Sequence, residues 1–234
     1  MLAVNLVGFK KSGKTTLALD LAAEFKRRGI KAAAAKCTHH PALDRADTDS
    51  DRLFAAYGQC AALAGGEAQV TWNSRRYLAD LLPLLDCEVL VVEGCKSLGW
   101  LPRILLPQNP EEAADLSPEL ALGTYGPVEI PGLTRLADPA AVADAVLKRG
   151  FALPGLDCSA CGRTDCRGLA QDIVAGRASI QGCQARPANI KISVNGAELG
   201  LSPFVADILS GGILGMLRTL KGFTPGKVEV SIEN

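Results

Sequence analysis

The chain has little of what nucleic-acid binding, export or membrane insertion would require. Aromatic residues are 5% of its 234 positions, and its 25 Lys+Arg balance 25 Asp+Glu. Neither a stacking platform for bases nor a basic groove is therefore expected. Long apolar runs are also missing. The most apolar C-terminal stretch is broken by Asp207, Gly211, Gly212 and Arg218, so no bilayer span and no membrane partner are expected. The first apolar run, Leu2 to Val7, is too short for the core of a secretory signal and passes straight into a Gly/Lys-rich loop. A cytoplasmic, reducing compartment is the expectation. Histidine is scarce: His39 and His40 stand side by side after an apolar run, and adjacent histidines chelate poorly in a strand. The chain holds no internal repeat and no low-complexity tract.

What is present suffices for a packed core, since 48% of residues are hydrophobic. Strand and helix patterns alternate through the first 150 residues. Leu2–Val7 reads as a strand; from Gly13 a helix repeats Leu17, Leu21 and Phe25 on one face and closes at Gly29. Lys31–Cys37 is the next strand, Asp51–Ala64 a helix ending at Gly65-Gly66, and Ser74–Leu85 a helix that Pro83 ends or kinks. Cys87–Val92 is a continuous Val-rich run, the pattern of a strand covered on both faces. Arg103–Leu106 and Leu120–Tyr125 are further strands, and Asp138–Lys148 a last helix closed by Gly150. The alternation predicts an α/β P-loop fold of three layers around a mostly parallel sheet.

A boundary is expected at Phe151–Leu156, with Pro154 and Gly155. The division is then 1–150 for the nucleotide domain, 151–187 for a small cysteine-rich domain and 188–234 for a ββαβ tail. In the tail, Asn189–Val194 and Ala197–Leu201 flank Asn195-Gly196, a strong hairpin signal. Ser202-Pro203 opens a helix carrying Val205, Leu209, Ile213, Met216 and Leu220; Gly222 closes it, and Lys227–Ile232 alternates as a final strand.

Gly8-Phe9-Lys10-Lys11-Ser12-Gly13-Lys14-Thr15 fits the phosphate-loop pattern G-x-x-x-x-G-K-[ST] between a strand and a helix. Its glycines let successive backbone N–H groups point inward at phosphate oxygens, and the helix start adds its positive dipole end. Gly8, Lys10, Lys11, Ser12 and Gly13 form the cradle. Lys14 would bridge the β- and γ-phosphates, Thr15 would ligate Mg²⁺ and Thr16 would reach the α-phosphate. The strand Cys87–Val92 delivers Glu93-Gly94 at its carboxyl end, where ligands bind in open α/β sheets. A carboxylate there can hold the Mg²⁺ shell or orient water, although P-loop proteins more often place Asp at this point. Asp47, Asp49 and Asp51 alternate: extended, they would share one face toward a cation; in a loop they would be solvated.

Cys158-x-x-Cys161-Gly162-x-x-x-Cys166 is followed, after a short helix at Leu169–Ala175, by Cys183. In a reducing compartment such a cluster reads as metal binding rather than disulfides. Zinc sites usually pair C-x-x-C twice, whereas iron–sulfur clusters use one tight run plus a remote cysteine. The spacing favours iron–sulfur over zinc or unmetallated thiols. Cys37, Cys60, Cys87 and Cys95 are scattered and read as structural, small buried hydrophobes; Cys95, beside Glu93 and Lys96, is the one that could face a ligand.

Five segments in order resemble the MobB family, the nucleotide-binding adaptors of molybdopterin guanine dinucleotide biosynthesis. They are GFKKSGKTTL, KCTHH from Lys36 to His40, DSDR from Asp49 to Arg52, EGCK from Glu93 to Lys96, and PRI from Pro102 to Ile104. Together they span about the first 105 residues. Cys37 departs from the polar strand-end residue expected there. The resemblance implies a GTP-binding homodimer, a weak GTPase at most, that assists a MobA-like molybdopterin nucleotidyltransferase or serves a pterin metalloenzyme client. It also implies Asp49 and Glu93 as catalytic groups near Mg²⁺ and the γ-phosphate, and His39 and Lys96 at an anionic ligand. No Asn-Lys-x-Asp guanine-reading motif is present, so guanine preference rests on the resemblance. The segment from Cys158 to Cys183 resembles the 4Fe-4S domain of corrinoid iron–sulfur proteins and of a ferredoxin-like subunit of ion-pumping electron-transport complexes, departing at Gln184, where that pattern has proline. The fused cysteines leave a second reading open, a nucleotide-gated electron-transfer or metallochaperone protein. A small-molecule kinase is disfavoured because no arginine-rich lid follows the central strand.

Overall fold

The computed structural model describes residues 1–38, 43, 48–185, 190, 192–194, 197–198, 203–223 and 228. Two compact units divide the chain, Met1–Gln184 and Ala185–Asn234.

In the first unit, β1 (Leu2–Gly8) leads through α1 (Lys14–Arg27) to β2 (Ala32–Lys36). Helix α2 (Asp49–Tyr57), the hairpin β3 (Gln59–Leu63) and β4 (Ala68–Trp72), and one turn of α3 (Leu78–Leu81) precede β5 (Val89–Glu93). Then come β6 (Arg103–Leu106), β7 (Ala121–Tyr125), β8 (Arg135–Leu136), α4 (Pro139–Arg149) and α5 (Cys166–Val174). Six strands form one sheet in the order β2-β5-β1-β6-β7-β8, every pairing parallel. The chain leaves β1 toward β2 on one side and crosses from β5 to β6 on the other. The crevice at the carboxyl ends of β1 and β5 is therefore a topological switch point.

Alternation along the buried strands splits the core into two layers. Val4, Leu6, Val89, Val91, Ile104 and Leu106 face Leu17, Leu21 and Phe25 of α1 and Val142, Ala143 and Val146 of α4. Both helices present that apolar stripe for local reasons. The four-residue repeat of α1 ends in Lys26 and Arg27 with Gly29 left-handed at φ 70°, while Asp138 caps α4 by accepting from the Ala141 amide at 2.8 Å and Pro139 fills its first turn. On the opposite face, Ala3, Leu90 and Val92 pack with Trp100, Leu101, Phe151, Leu153, Cys166, Leu169 and Ala170. The third layer is thus built largely from the cysteine segment. Phe151 and Leu153 are buried within it, and the Leu153 amide donates to the Trp100 carbonyl at 3.2 Å.

Two expected helices are shorter. Asp51–Ala64 is helical only to Tyr57; Gly58, left-handed at φ 72°, ends it, and Gln59–Leu63 turns back as a strand against Ala68–Trp72. Cys60-Ala61-Ala62 reads as helix by propensity, but antiparallel pairing overrides a weak local preference. Of Ser74–Leu85, only Leu78–Leu81 is α-helical, followed by a 3₁₀ turn at Leu82–Leu84 that absorbs Pro83.

In the second unit, β9 (Ser193–Val194) and β10 (Ala197–Glu198) pair antiparallel, and α6 (Pro203–Leu217) runs unbroken through Gly211, Gly212 and Gly215. The Asn195-Gly196 turn lies outside the described residues, as does the expected strand Lys227–Ile232 except at Val228. Among the described residues no helix is long and apolar enough to cross a membrane.

Candidate functional site

At the end of β1 the backbone bends through two left-handed residues, Lys11 at φ 62° and Gly13 at φ 87°. The alternation turns neighbouring amides inward as an anion nest in front of α1. Gly8 has no room for a side chain: a Cβ there would sit 2.6 Å from the Leu106 carbonyl oxygen and against Ser12. Lys14 Nζ donates to the Phe9 carbonyl at 2.6 Å and to Ser12 Oγ at 3.3 Å, folding the ammonium across the cradle. Partial burial pushes the Lys14 pKa down, Glu93 opposes that, and Lys96 adds to it. Lys96 Nζ stands 3.2 Å from the centre of the Phe9 ring. Two ammonium groups and the inward amides make this mouth a place for a polyanion.

The Thr15 hydroxyl donates to Glu93 Oε1 at 2.7 Å. A hydroxyl and a carboxylate meeting at the carboxyl ends of neighbouring strands are the hard oxygen donors that Mg²⁺ prefers, so the residues fit that ion. Asp49 opens α2, exposed, with its carboxylate 3.3 Å from Arg52 Nη1. Asp49 and Asp51 lie in the first turn of α2, not on an extended face. Asp51 closes a capping box with Thr48 and points into the helix start, and Asp47 lies outside the described residues. His39 and His40 also lie outside them.

The loop after β5 is held from below by Asn5 and Arg103, residues to which the motifs assign no role. Gly94 at φ 88° and Cys95 at φ 49° make a left-handed turn. Asn5, fully buried in β1, donates from Nδ2 to the Cys95 carbonyl at 3.2 Å. Arg103 is 0% exposed and faces backbone carbonyls rather than a carboxylate. Its Nη2 donates to Lys96 O at 2.5 Å and Leu98 O at 2.7 Å, and its Nη1 to Leu116 O at 2.9 Å. Burial pushes its pKa down to about 10. On the other side of the mouth, Gln108 Nε2 donates to the Lys10 carbonyl at 3.1 Å. The sequence signals for Arg103 are a cation directly before the apolar run Ile104-Leu105-Leu106 and its place in the Pro102–Ile104 segment of the resemblance.

Cys37 and Cys95 correct an expectation. The sequence places them as separate structural thiols; in the structure they form a disulfide, with Cα atoms 5.3 Å apart. The cause is topological: β2 and β5 are neighbours in register, Lys36 opposite Glu93, which brings the residues just past each strand together. Cys60 and Cys87 are free and only half-buried.

The other four cysteines lie on one wrapped segment. Asp157, Ser159 and Gly162 are left-handed at φ 47°, 57° and 79°, coiling the chain around Cys158 and Cys161. Cys166 begins α5; Asp165 caps that helix by accepting from the Gly168 amide at 2.8 Å, and Asp157 Oδ1 accepts from the Cys166 amide at 2.9 Å. Gly176 at φ 74° ends α5, and a 3₁₀ turn at Ile180–Gly182 brings Cys183 back against the same apolar layer as Cys161 and Cys166. Burial raises the Cys166 pKa, so a metal must displace its proton. Among the described residues no three His, Cys, Asp or Glu side chains gather closely enough for a single metal ion. Zinc would need its thiolates roughly 3.8 Å apart, from Zn–S bonds of about 2.3 Å in a tetrahedron. Four free thiols on one wrapped segment are the soft donor set that an iron–sulfur cluster takes.

A glycine-bent anion nest between the first strand and helix of a parallel sheet, with a carboxylate facing it, defines a P-loop nucleotide-binding α/β protein. The family model described as "Molybdopterin guanine dinucleotide synthesis protein B" matches residues 3–120, half of the chain. The chain belongs to the MobB family. A second model, described as "Putative Fe-S cluster", matches residues 153–185. A protein of Methanocaldococcus jannaschii named "Putative molybdopterin-guanine dinucleotide biosynthesis adapter protein" is 27% identical over 245 residues, covering 100% of this chain and 98% of the relative. Two structures of Bacillus subtilis MobB share the fold. One is 24% identical with a TM-score of 0.55, the other 25% identical with a TM-score of 0.52; each match covers 64% of this chain and 99% of the other.

Proposed function

We propose that the chain is a GTP-binding adapter in molybdopterin guanine dinucleotide biosynthesis, with a fused 4Fe-4S segment. The observation that carries the nucleotide half is the Thr15–Glu93 hydrogen bond of 2.7 Å beside the Lys14 cradle. Inward amides from Gly8 to Gly13, with Lys10, Lys11 and Ser12, hold the β-phosphate. Lys14 swings from Phe9 O onto the β,γ-bridge, and Thr16 reaches the α-phosphate. Mg²⁺, held by Thr15 and Glu93, would supply charge neutralisation of the phosphate tail. Glu93 and Asp49 then orient water only poorly, in keeping with an adapter that hydrolyses GTP slowly. Lys96 and His39 would bind an anionic ligand.

Cys158, Cys161, Cys166 and Cys183 hold the cluster, whose chemistry when bound is one-electron transfer. The partner is a MobA-like nucleotidyltransferase or a pterin metalloenzyme client, met by a cytoplasmic homodimer. Residues 1–150 form the nucleotide module, 151–187 the cluster module and 188–234 an appended tail. The test is a calorimetric comparison of GTP and ATP with Mg²⁺, alongside iron and sulfide analysis of anaerobically purified protein. Preferential GTP binding with about four irons per chain is expected; equal affinity for ATP removes the guanine assignment.

A second reading, in which nucleotide gates electron transfer or metal delivery, is favoured by one contact. Arg167, next to Cys166, packs its Cβ so close to Gly99 that a Cβ on that glycine would stand 2.8 Å away. Its guanidinium binds Ser117 Oγ at 2.7 Å and the Glu119 carboxylate. Gly99 lies in the loop that runs from Glu93 to β6, so the cysteine segment touches that loop directly.

A further inference from the structure

We infer that Cys37 and Cys95 form a redox-switched bridge that sets nucleotide affinity, an inference that rests on the nucleotide-binding reading above. The bridge joins the first residue past β2 to the second past β5, closing 58 residues of chain at the rim of the phosphate site. Both cysteines are half-buried, within reach of a small thiol. The two strand ends are already docked. The Cys37 amide donates to the Glu93 carbonyl at 2.9 Å, and a Cβ on Gly94 would stand 2.8 Å from the Cys37 carbonyl oxygen.

The switching element is the turn that carries Lys96. Cys95 is held left-handed at φ 49°, a conformation that L side chains rarely adopt and that persists where surrounding structure enforces it. One side of Cys95 is fixed by Asn5 on its carbonyl and the other by the sulfur bond to Cys37. With the bridge closed, Glu93 stays against Thr15 and Lys96 over Phe9. With it open, Cys95 relaxes toward negative φ, carrying Lys96 off the mouth and loosening Glu93. The closed form is the preorganised one and binds nucleotide more tightly.

The reaction is thiol–disulfide exchange with a small disulfide of the glutathione class. The oxidant's S–S bond breaks and the Cys37–Cys95 S–S bond forms. Two electrons pass from the protein thiols to the oxidant, and their two protons leave on two molecules of small thiol. Binding and bridging are reciprocally linked. If closure tightens GTP binding about tenfold, saturating GTP lowers the bridge's midpoint potential by about 30 mV.

The test titrates GTP·Mg²⁺ into the full chain after equilibration in thiol buffers of set potential. Differential alkylation and mass mapping of Cys37 and Cys95 report the bridge, and Cys37→Ser provides a permanently open form. Oxidised wild type binding about tenfold tighter than reduced, with Cys37→Ser binding like the reduced form at every potential, supports the inference. Equal affinity of both wild-type states overturns the switch and leaves nucleotide binding standing. A Cys37→Ser protein that still responds to potential overturns it by placing the response elsewhere. Cys37 and Cys95 that alkylate freely after oxidation overturn the bridge itself. Loss of GTP binding in both states overturns the nucleotide reading beneath it, whatever the mass map shows.

Discussion

The Thr15 hydroxyl meets the Glu93 carboxylate at 2.7 Å across 78 residues of sequence. One lies in the first turn of α1 and the other at the end of β5, and parallel pairing of β1 with β5, Leu6 opposite Glu93, brings them together. Under the proposed function, Thr15 and Glu93 would hold Mg²⁺ beside the bound phosphates. Glu93→Gln is expected to weaken GTP binding about tenfold with Mg²⁺ present and to change little in EDTA. Calorimetry in both buffers checks it; equal loss without Mg²⁺ removes the metal role.

Lys14→Ala removes the charge that spans the cradle. Nucleotide affinity should fall at least about a hundredfold, while the cluster's visible absorbance stays intact. Loss of both together would mean that the nucleotide and cysteine segments do not act as separate modules.

Arg103→Met leaves the carbonyls of Lys96, Leu98 and Leu116 without their donor. A stability loss on the order of 3 kcal/mol is expected from urea denaturation. Arg103→Lys should recover only part of it, because an ammonium cannot span carbonyls that a planar fork reaches at once. Full recovery by lysine would show that charge, not geometry, holds the loop.

Leu169, 1% exposed, joins α5 to the sheet face that carries Leu90 and Val92. Leu169→Ala should cost roughly 2–5 kcal/mol. Because α5 is part of the third layer, the far-UV circular dichroism and cluster absorbance transitions should shift together. Separate transitions would show that the cysteine segment melts alone.

Glu24 is held down to about 2 by hydrogen bonds from Arg27 and Arg28, and Arg28 also pairs with Asp144 of α4 at 2.5 Å. A depressed carboxylate contributes stability that is present above its ordinary pKa near 4.5 and lost as pH falls through about 2. The carboxyl-carbon NMR resonance of Glu24 should titrate near the lower value. A midpoint near 4.5 would mean the arginines are not engaged.

Much of the site was legible because its chemistry is local. The bend from Gly8 to Gly13, the ammonium of Lys14 and the hydroxyl of Thr15 occupy consecutive positions, and a Val-rich strand announces where Glu93 must stand. The four clustered cysteines are likewise readable from spacing. Asp51–Ala64 was not, because Ala-rich strands and helices look alike until a partner strand arrives. Arg103 stands in the Pro102–Ile104 motif, but its role was hidden because a buried cation makes sense only once three carbonyls converge on it.

By itself the sequence determined the elements whose pattern is short-range: the cradle, the helix caps, the buried central strand and the soft donors of the cysteine run. Tertiary structure alone decided that β5 lies beside both β1 and β2, that Cys37 therefore faces Cys95, and that the cysteine segment serves as a layer of the sheet's core. Those are consequences of strand order and of which apolar face finds which cover. Pairings between distant segments depend on the energy of the whole packed unit, and no stretch of neighbouring residues encodes them.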